Sequence, residues 1–160
     1  MDAKNNRCPI NVEADIEPIS ILLVEDNPAD VRLTREAFKE GRCLVNLTVA
    51  NDGVEALDML YRRGRYYDAV PPDLILLDLN LPKMDGREVL REIKSDPVLR
   101  KIPLVVLTTS TADQDVGSAY GLAANCYIEK PVDLNQFIRV VQSIENFWVR
   151  IVTLPRGMFL

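Results

Sequence analysis

Five short apolar runs alternate with stretches of helical periodicity, and this alternation limits the fold more than any other feature of the chain. The runs are Ile19–Val24, Leu44–Ala50, Leu74–Leu77, Ile102–Leu107 and Cys126–Ile128. Leu74–Leu77 is apolar at every position, which is typical of a strand covered on both faces. A β-α unit repeated at intervals of roughly 25–30 residues predicts right-handed crossovers and a parallel sheet with helices on both faces. Because five strands are too few for an eight-stranded barrel, we expect an open, doubly wound α/β sheet.

The stretches between and after the runs predict five helices. They are Pro28–Lys39, Val54–Arg63, Asp85–Ser95, Ala112–Ala124 and Leu134–Ile151. The fourth is the weakest, because Gly117 and Gly121 each cost about 1 kcal/mol relative to alanine inside a helix. The fifth carries a wide apolar stripe that ends with Phe147, Trp148 and Ile151. That stripe continues past the length needed to cover a small sheet, so these three residues are candidates for a partner surface.

Composition narrows the class of protein. The chain has 160 residues, 48% of them hydrophobic, which fits one domain with a core of its own. We expect a polar tail over 1–17, a single domain over 18–150 and a C-terminal extension over 151–160. The net charge of −5 disfavours a nucleic-acid partner, which would require a basic face. The chain has no histidine, so histidine acid–base catalysis and histidine metal ligation are excluded.

Cysteine usage and hydropathy indicate a location. Cys8, Cys43 and Cys126 are odd in number and widely spaced, which argues against a disulfide framework or a zinc site and predicts a reducing cytoplasm. No run approaches the roughly 18 apolar residues of a membrane span. The first residues lack the apolar core of a signal peptide. We therefore expect a cytoplasmic protein without a membrane partner.

Acidic, hydroxyl and amine side chains follow four of the five predicted strands. Glu25-Asp26 follows the first, Asp78 the third, Thr108-Thr109-Ser110 the fourth and Glu129-Lys130-Pro131 the fifth. The carboxyl ends of parallel strands meet at one edge of the sheet, where ligands bind in doubly wound folds. An all-oxygen acidic cluster there suits Mg²⁺. Lys130 and Thr108 suit phosphoryl oxygens, and an aspartate is a known nucleophile in phosphoryl transfer.

Four segments resemble the receiver domains of two-component response regulators. They are Ile21–Asn27 (ILLVEDN), Asp73–Gly86 (DLILLDLNLPKMDG), Val105–Thr108 (VVLT) and Lys130-Pro131. The resemblance extends from about Ile19 to Trp148. It implies a flavodoxin-like, CheY-like sheet of strand order 2-1-3-4-5.

The resemblance also implies a role for each matched residue. Asp78 corresponds to the phosphoacceptor, and Lys130 and Thr108 are its helpers. Glu25, Asp26, Asp78 and the backbone carbonyl of Asn80 correspond to the Mg²⁺ ligands. Thr108 and Tyr127 correspond to a switch pair that moves on phosphorylation. The Lys130–Pro131 peptide is expected to be cis.

A narrower resemblance is to the cyanobacterial regulators that partner phytochromes. It rests on the connection Tyr61–Tyr67 (YRRGRYY) and on the ending with Phe147-Trp148 and Thr153–Pro155. It implies a phytochrome-type histidine kinase as partner. Homodimerisation through Phe147, Trp148 and Ile151 is our further hypothesis. Since only about ten residues follow Arg150, we expect no effector domain, and output through contact with a downstream protein.

Alternative functions fit the residues less well. A phosphohydrolase of the D-x-D type needs a second aspartate as general acid, and that position is Asn80. A degenerate receiver that acts only as a binding module would lack an acid or the lysine, and neither is missing. Nucleotide binding is disfavoured because the chain has neither a G-x-x-x-x-G-K-[ST] nor a G-x-G-x-x-G segment.

Overall fold

The computed structural model describes residues 18–41, 44–109, 117, 120, 121 and 123–155, with backbone alone at 150 and 151. Its centre is a sheet of five parallel strands in the order β2-β1-β3-β4-β5. The strands are β1 (Ile19–Val24), β2 (Val45–Ala50), β3 (Leu74–Leu77), β4 (Leu104–Thr108) and β5 (Cys126–Glu129). The predicted doubly wound α/β fold of order 2-1-3-4-5 is confirmed.

Four α-helices pack against this sheet within the described residues. They are α1 (Pro28–Lys39), α2 (Gly53–Leu60), α3 (Gly86–Ser95) and α4 (Leu134–Ile144). Short 3₁₀ turns at Gly64–Tyr66 and Leu99–Lys101 follow α2 and α3. The predicted helix Ala112–Ala124 falls largely outside the described residues.

The sheet separates two apolar clusters. One cluster joins alternate residues of β1, β3 and β4 to α2 and α3, with Leu57, Val89 and Ile93 among its members. The other joins the opposite strand faces to α1 and α4 through residues such as Phe38 and Phe137. Every residue of β3 is buried, because this strand is covered on both faces as its continuous apolar run predicts.

The last predicted helix differs from its sequence pattern. The α-helix ends at Ile144, and the chain continues as a π-helix over Glu145–Ile151. A π-helix has a wider turn than an α-helix. Within it, Val149 is buried and Trp148 is partly buried, and both pack against the cluster that contains α1 and α4. Phe147, which continues the apolar stripe in the sequence and is a candidate for a partner surface, is 49% exposed.

No helix among the described residues is both long enough and apolar enough to cross a membrane.

Candidate functional site

Backbone hydrogen bonds bring the predicted site residues to one edge of the sheet. The amide of Glu25 donates to the carbonyl of Ala50 at 3.0 Å, and the amide of Asp78 donates to Val24 at 3.0 Å. The amide of Lys130 donates to the carbonyl of Thr108 at 2.8 Å. Each bond extends the strand pairing by one step past the strand ends. The sheet therefore places Glu25, Asp78, Thr108 and Lys130 at its carboxyl edge, where the sequence predicted them.

The Lys130 ammonium group lies at the centre of the site. It forms a short ion pair with Glu25 and donates to Asp78 Oδ2 and to Asp30 Oδ2, each at 2.9 Å. An ammonium group has three protons, so these three carboxylates account for all of its hydrogen bonds. Lys130 is only 8% exposed, so its ammonium group is a buried cation surrounded by these three carboxylates.

The second oxygen of Asp78 is held by neighbouring donors. Its Oδ1 accepts from the Thr108 hydroxyl at 2.7 Å and from the backbone N–H of Asn80 at 3.0 Å. The side-chain amide of Asn80 lies 3.4 Å from Thr108 Oγ1 and 3.3 Å from Thr109 Oγ1. Asp78 is thus fixed in direction by a hydroxyl, an amide and an ammonium group.

Three acids form a cluster that fits a divalent metal ion. One carboxylate oxygen each of Glu25, Asp26 and Asp78 lies within 4.8 Å of the others. Glu25 and Asp78 are buried whereas Asp26 is exposed, so the cluster opens to solvent on one side. Oxygen donors of this kind match the preference of Mg²⁺, which keeps several waters and takes few carboxylates.

Burial and crowding shift two pKa values in the site. Burial raises the pKa of Glu25 from 4.5 to about 7, against the opposing hydrogen bond and charge of Lys130. Burial alone would lower the pKa of Lys130, but the hydrogen bond and charge of Glu25, followed by Asp78 and Asp30, raise it above its ordinary value. Lys130 is therefore a permanent cation, while Glu25 exchanges its proton near neutral pH.

The start of α1 contributes Asp30, a site residue that the sequence analysis missed. The side chain of Asn27 caps this helix by accepting from the backbone amide of Ala29 at 2.9 Å. The backbone amide of Asn27 donates to Glu25 Oε1 at 3.1 Å. Asp30 follows in the first turn and reaches Lys130. The available signal was an acid in the first turn of a helix that begins at the site edge of the sheet.

Other predicted residues have mixed outcomes. Tyr127 is half-buried against the cluster that contains α2 and α3, and its switch role stays a prediction, as does metal ligation by the Asn80 carbonyl. Phe147 and Trp148 contact each other edge to face with ring centroids 5.4 Å apart, whereas the side chain of Ile151 lies outside the described residues.

The prediction of a cis Lys130–Pro131 peptide is wrong. The described residues contain only trans peptides, the form that X–Pro bonds generally favour.

Comparison with known families decides the assignment. Residues 21–142 match the response regulator receiver domain, which is more than half of the chain. The chain belongs to the response regulator receiver family. The match covers β2–β5, β1 from Ile21 onward, and the acids, hydroxyl and lysine that converge at the sheet edge.

Individual relatives agree with this assignment. Response regulator Rcp1 of Synechocystis is 50% identical over 138 residues, which cover 86% of this chain and 94% of Rcp1. A crystal structure of Rcp1 in its Mn²⁺-bound form superimposes with a TM-score of 0.84 and covers 86% of this chain and 99% of Rcp1. The phosphorylated cyanobacterial phytochrome response regulator RcpA is also 50% identical, with a TM-score of 0.85 over 87% of this chain and 99% of RcpA. This chain is thus a receiver-domain response regulator similar to those of cyanobacterial phytochromes.

Proposed function

We propose that this response regulator accepts a phosphoryl group on Asp78 from a histidine kinase and signals through changed protein–protein contacts. The observation that carries the proposal is the 2.9 Å contact between the Lys130 ammonium and the Asp78 carboxylate, beside an acidic cluster that fits a divalent ion. A carboxylate that is fixed in direction and paired with a cation is suited to attack a phosphorus atom.

The residues of the site divide the chemistry between them. An oxygen of Asp78 forms the new O–P bond as the P–N bond of a donor phosphohistidine breaks, and the electron pair of that bond stays on the imidazole nitrogen. Lys130 and Thr108, which already contact Asp78, turn to the oxygens of the transferred group. Glu25, Asp26, Asp78 and the carbonyl of Asn80 would hold Mg²⁺, which neutralises phosphoryl charge when bound.

The response to phosphorylation starts at Thr108. Its hydroxyl contacts Asp78 in the unmodified site, so a phosphoryl group on Asp78 gives this hydroxyl a new and more strongly charged acceptor. We propose that this change repositions the chain that follows β4 and the ring of Tyr127. Output then reaches a downstream protein through the altered surface.

We propose a phytochrome-type histidine kinase as the donor and the cytoplasm as the location. Support for the kinase class comes from Rcp1 and from RcpA, the latter described as a cyanobacterial phytochrome response regulator. Support for the location comes from the odd and scattered cysteines of the chain. A purified phytochrome kinase should transfer its label to this chain faster than an unrelated histidine kinase does.

The acceptor is tested by Asp78→Asn with acetyl phosphate and Mg²⁺. We expect the wild type to gain one phosphoryl group that is stable in acid and lost in base, and the variant to gain none. Intact-mass spectrometry measures the gain. Asp68→Asn is the matched control, because Asp68 is an exposed acid outside the site and should label like the wild type. Full labelling of Asp78→Asn would mean that another residue is the acceptor.

We also propose that the chain forms a homodimer in which Phe147 and Trp148 take part. A half-exposed aromatic side chain at the end of the fold is a typical anchor of a protein interface. Phe147 is 49% exposed and packs against Trp148, which holds its ring in a defined direction.

A further inference from the structure

We propose that Asp30 is a positioning residue that keeps the Lys130 ammonium at the pocket while Glu25 and Asp78 bind the metal ion. This inference rests on the proposed function, because it assigns a task within the same site. Asp30 does not belong to the acidic cluster of Glu25, Asp26 and Asp78, yet its Oδ2 lies 2.9 Å from Lys130 Nζ.

Every oxygen of the two carboxylates shared by the lysine and the metal site already accepts at least one hydrogen bond. Asp78 Oδ2 accepts from Lys130, and its Oδ1 accepts from Thr108 and Asn80. Glu25 Oε2 pairs with Lys130, and its Oε1 accepts from the amide of Asn27. The oxygens that contact Lys130 keep a second lone pair, but a metal ion bound by Glu25 and Asp78 competes electrostatically with the ammonium group for the same carboxylates.

Asp30 is not part of this competition. Among the described residues, its carboxylate has Lys130 as its only ion-pair or hydrogen-bond partner. Its backbone is fixed in the first turn of α1, where the Thr34 hydroxyl donates to its carbonyl at 2.7 Å. Its side chain is 22% exposed, so it stands at the mouth of the pocket rather than within the metal cluster. When Glu25 and Asp78 turn to a metal ion, Asp30 is the acceptor that remains for the ammonium group.

A purely structural ion pair is the competing interpretation. Asp30 and Lys130 are separated by 100 residues, and their contact also links α1 to the loop after β5. In that case, loss of Asp30 would lower the stability of the fold, and the reactivity of Lys130 would not depend on the metal ion. The two interpretations therefore differ in how Lys130 responds to Mg²⁺.

Acylation of Lys130 measures this response directly. The wild type and Asp30→Asn are treated with an amine-acylating reagent, without and with saturating Mg²⁺, and the peptide containing Lys130 is quantified by mass spectrometry. We expect Lys130 of the wild type to be protected in both conditions. We expect Asp30→Asn to be protected without metal and to react about tenfold faster with Mg²⁺, a change typical of directly coupled neighbours. Equal protection of the variant in both conditions would overturn the proposal.

Phosphorylation by acetyl phosphate gives the second readout. We expect Asp30→Asn to label about tenfold more slowly than the wild type, and Asp30→Glu, which retains a carboxylate, to recover most of the rate. In a Lys130→Met background Asp30→Asn should cause no further loss, since its effect acts through the lysine. The same tenfold loss in that background would also overturn the proposal.

A matched control and the wild type separate the possible failures. Glu36→Gln removes an acid from the same helix, where Glu36 is exposed and pairs only with Lys39 among the described residues, and it should behave like the wild type. A wild type that neither binds Mg²⁺ by calorimetry nor takes a phosphoryl group would reject the proposed function itself. A wild type that does both, with Asp30→Asn unchanged, would reject the role of Asp30 alone.

Discussion

Glu25 makes the stability of the metal-free protein depend on pH near neutrality. Its pKa rises from 4.5 in its ordinary state to about 7 in the fold. Between these values the folded protein holds a proton that the unfolded chain has released. Because the unfolded chain binds fewer protons there, the free energy of unfolding falls as the pH rises from about 5 to about 8.

We expect Glu25→Gln to flatten this pH dependence, because a glutamine does not titrate. The difference in slope should approach, at most, about 1.4 kcal/mol per pH unit. Urea denaturation in the presence of EDTA, repeated across the pH range, measures it. Glu36→Gln should retain the wild-type slope, and parallel curves for Glu25→Gln and the wild type would contradict the raised pKa.

Gly86 sets the distance between the start of α3 and the chain that leaves β3 at Asp78 and Leu79. A Cβ at this position would lie 2.3 Å from the carbonyl oxygen of Asp78 and 2.4 Å from the Cα of Leu79. Both atoms belong to the backbone next to the site, so neither moves aside without displacing Asp78.

We expect Gly86→Ala to destabilise the fold by about 1–3 kcal/mol and to slow labelling by acetyl phosphate. Gly117→Ala is the control, because Gly117 is exposed and a Cβ there would meet nothing within 4 Å. That substitution should change the stability by less than about 1 kcal/mol. Urea denaturation compares the two variants. Equal effects on stability would mean that the close approach of the backbone at Gly86 does not require a glycine.

At the scale of elements, Lys94 joins α3 to the neighbouring strands. Its ammonium donates to the carbonyl of Ile102 at 3.2 Å and to Asn125 Oδ1 at 3.3 Å. Asn125 Oδ1 also accepts from the amide of Leu104 at 2.8 Å. Burial lowers the pKa of Lys94, while hydrogen bonds to these neutral oxygens stabilise its ammonium form.

We expect Lys94→Met to cost about 1–3 kcal/mol of unfolding free energy, because it removes the charged donor from its hydrogen bonds with the Ile102 carbonyl and Asn125 Oδ1. Lys101→Met, at an exposed lysine nearby, should be close to neutral. Urea denaturation gives the cost, and amide hydrogen exchange at Leu104 shows where the fold loosens. An unchanged stability would mean that water replaces the ammonium at no cost.

The elements also show which parts of the fold a single sequence predicts. β1 and β3 begin and end where the apolar runs do, because strands that are mostly covered on both faces require mostly apolar residues. The end of α4 could not be predicted in this way, since the apolar spacing of the sequence continues past Ile144 while the structure changes to a π-helix at Glu145. The exposure of Phe147 agrees with its assignment as a candidate surface residue beyond the part of the stripe that covers the sheet.

At the scale of the whole molecule, the positions of some site residues could be predicted from the sequence and those of others could not. Asp78, Glu25 and Lys130 were predictable because each follows a strand, and strands of a parallel sheet end at a common edge. The strand order itself came from the family resemblance, since local patterns alone leave several orders open. Asp30 was missed because its contact with Lys130 joins two residues that are 100 positions apart in the chain.

Association of two whole molecules is the last prediction. We expect the wild type to sediment as a dimer at high concentration, because a half-exposed Phe147 beside Trp148 offers an aromatic anchor. Phe147→Ser should weaken the dimer about tenfold or more, which is typical of an interface anchor.

Tyr67→Ser removes another exposed aromatic, 74% exposed and distant in the chain from Phe147, and should leave the dimer intact. Analytical ultracentrifugation of all three proteins, with and without phosphorylation, measures the equilibrium. A dimer unaffected by Phe147→Ser would place the interface on another surface. A wild type that is monomeric in both states would reject homodimerisation, and the output of the receiver would then depend on a different protein alone.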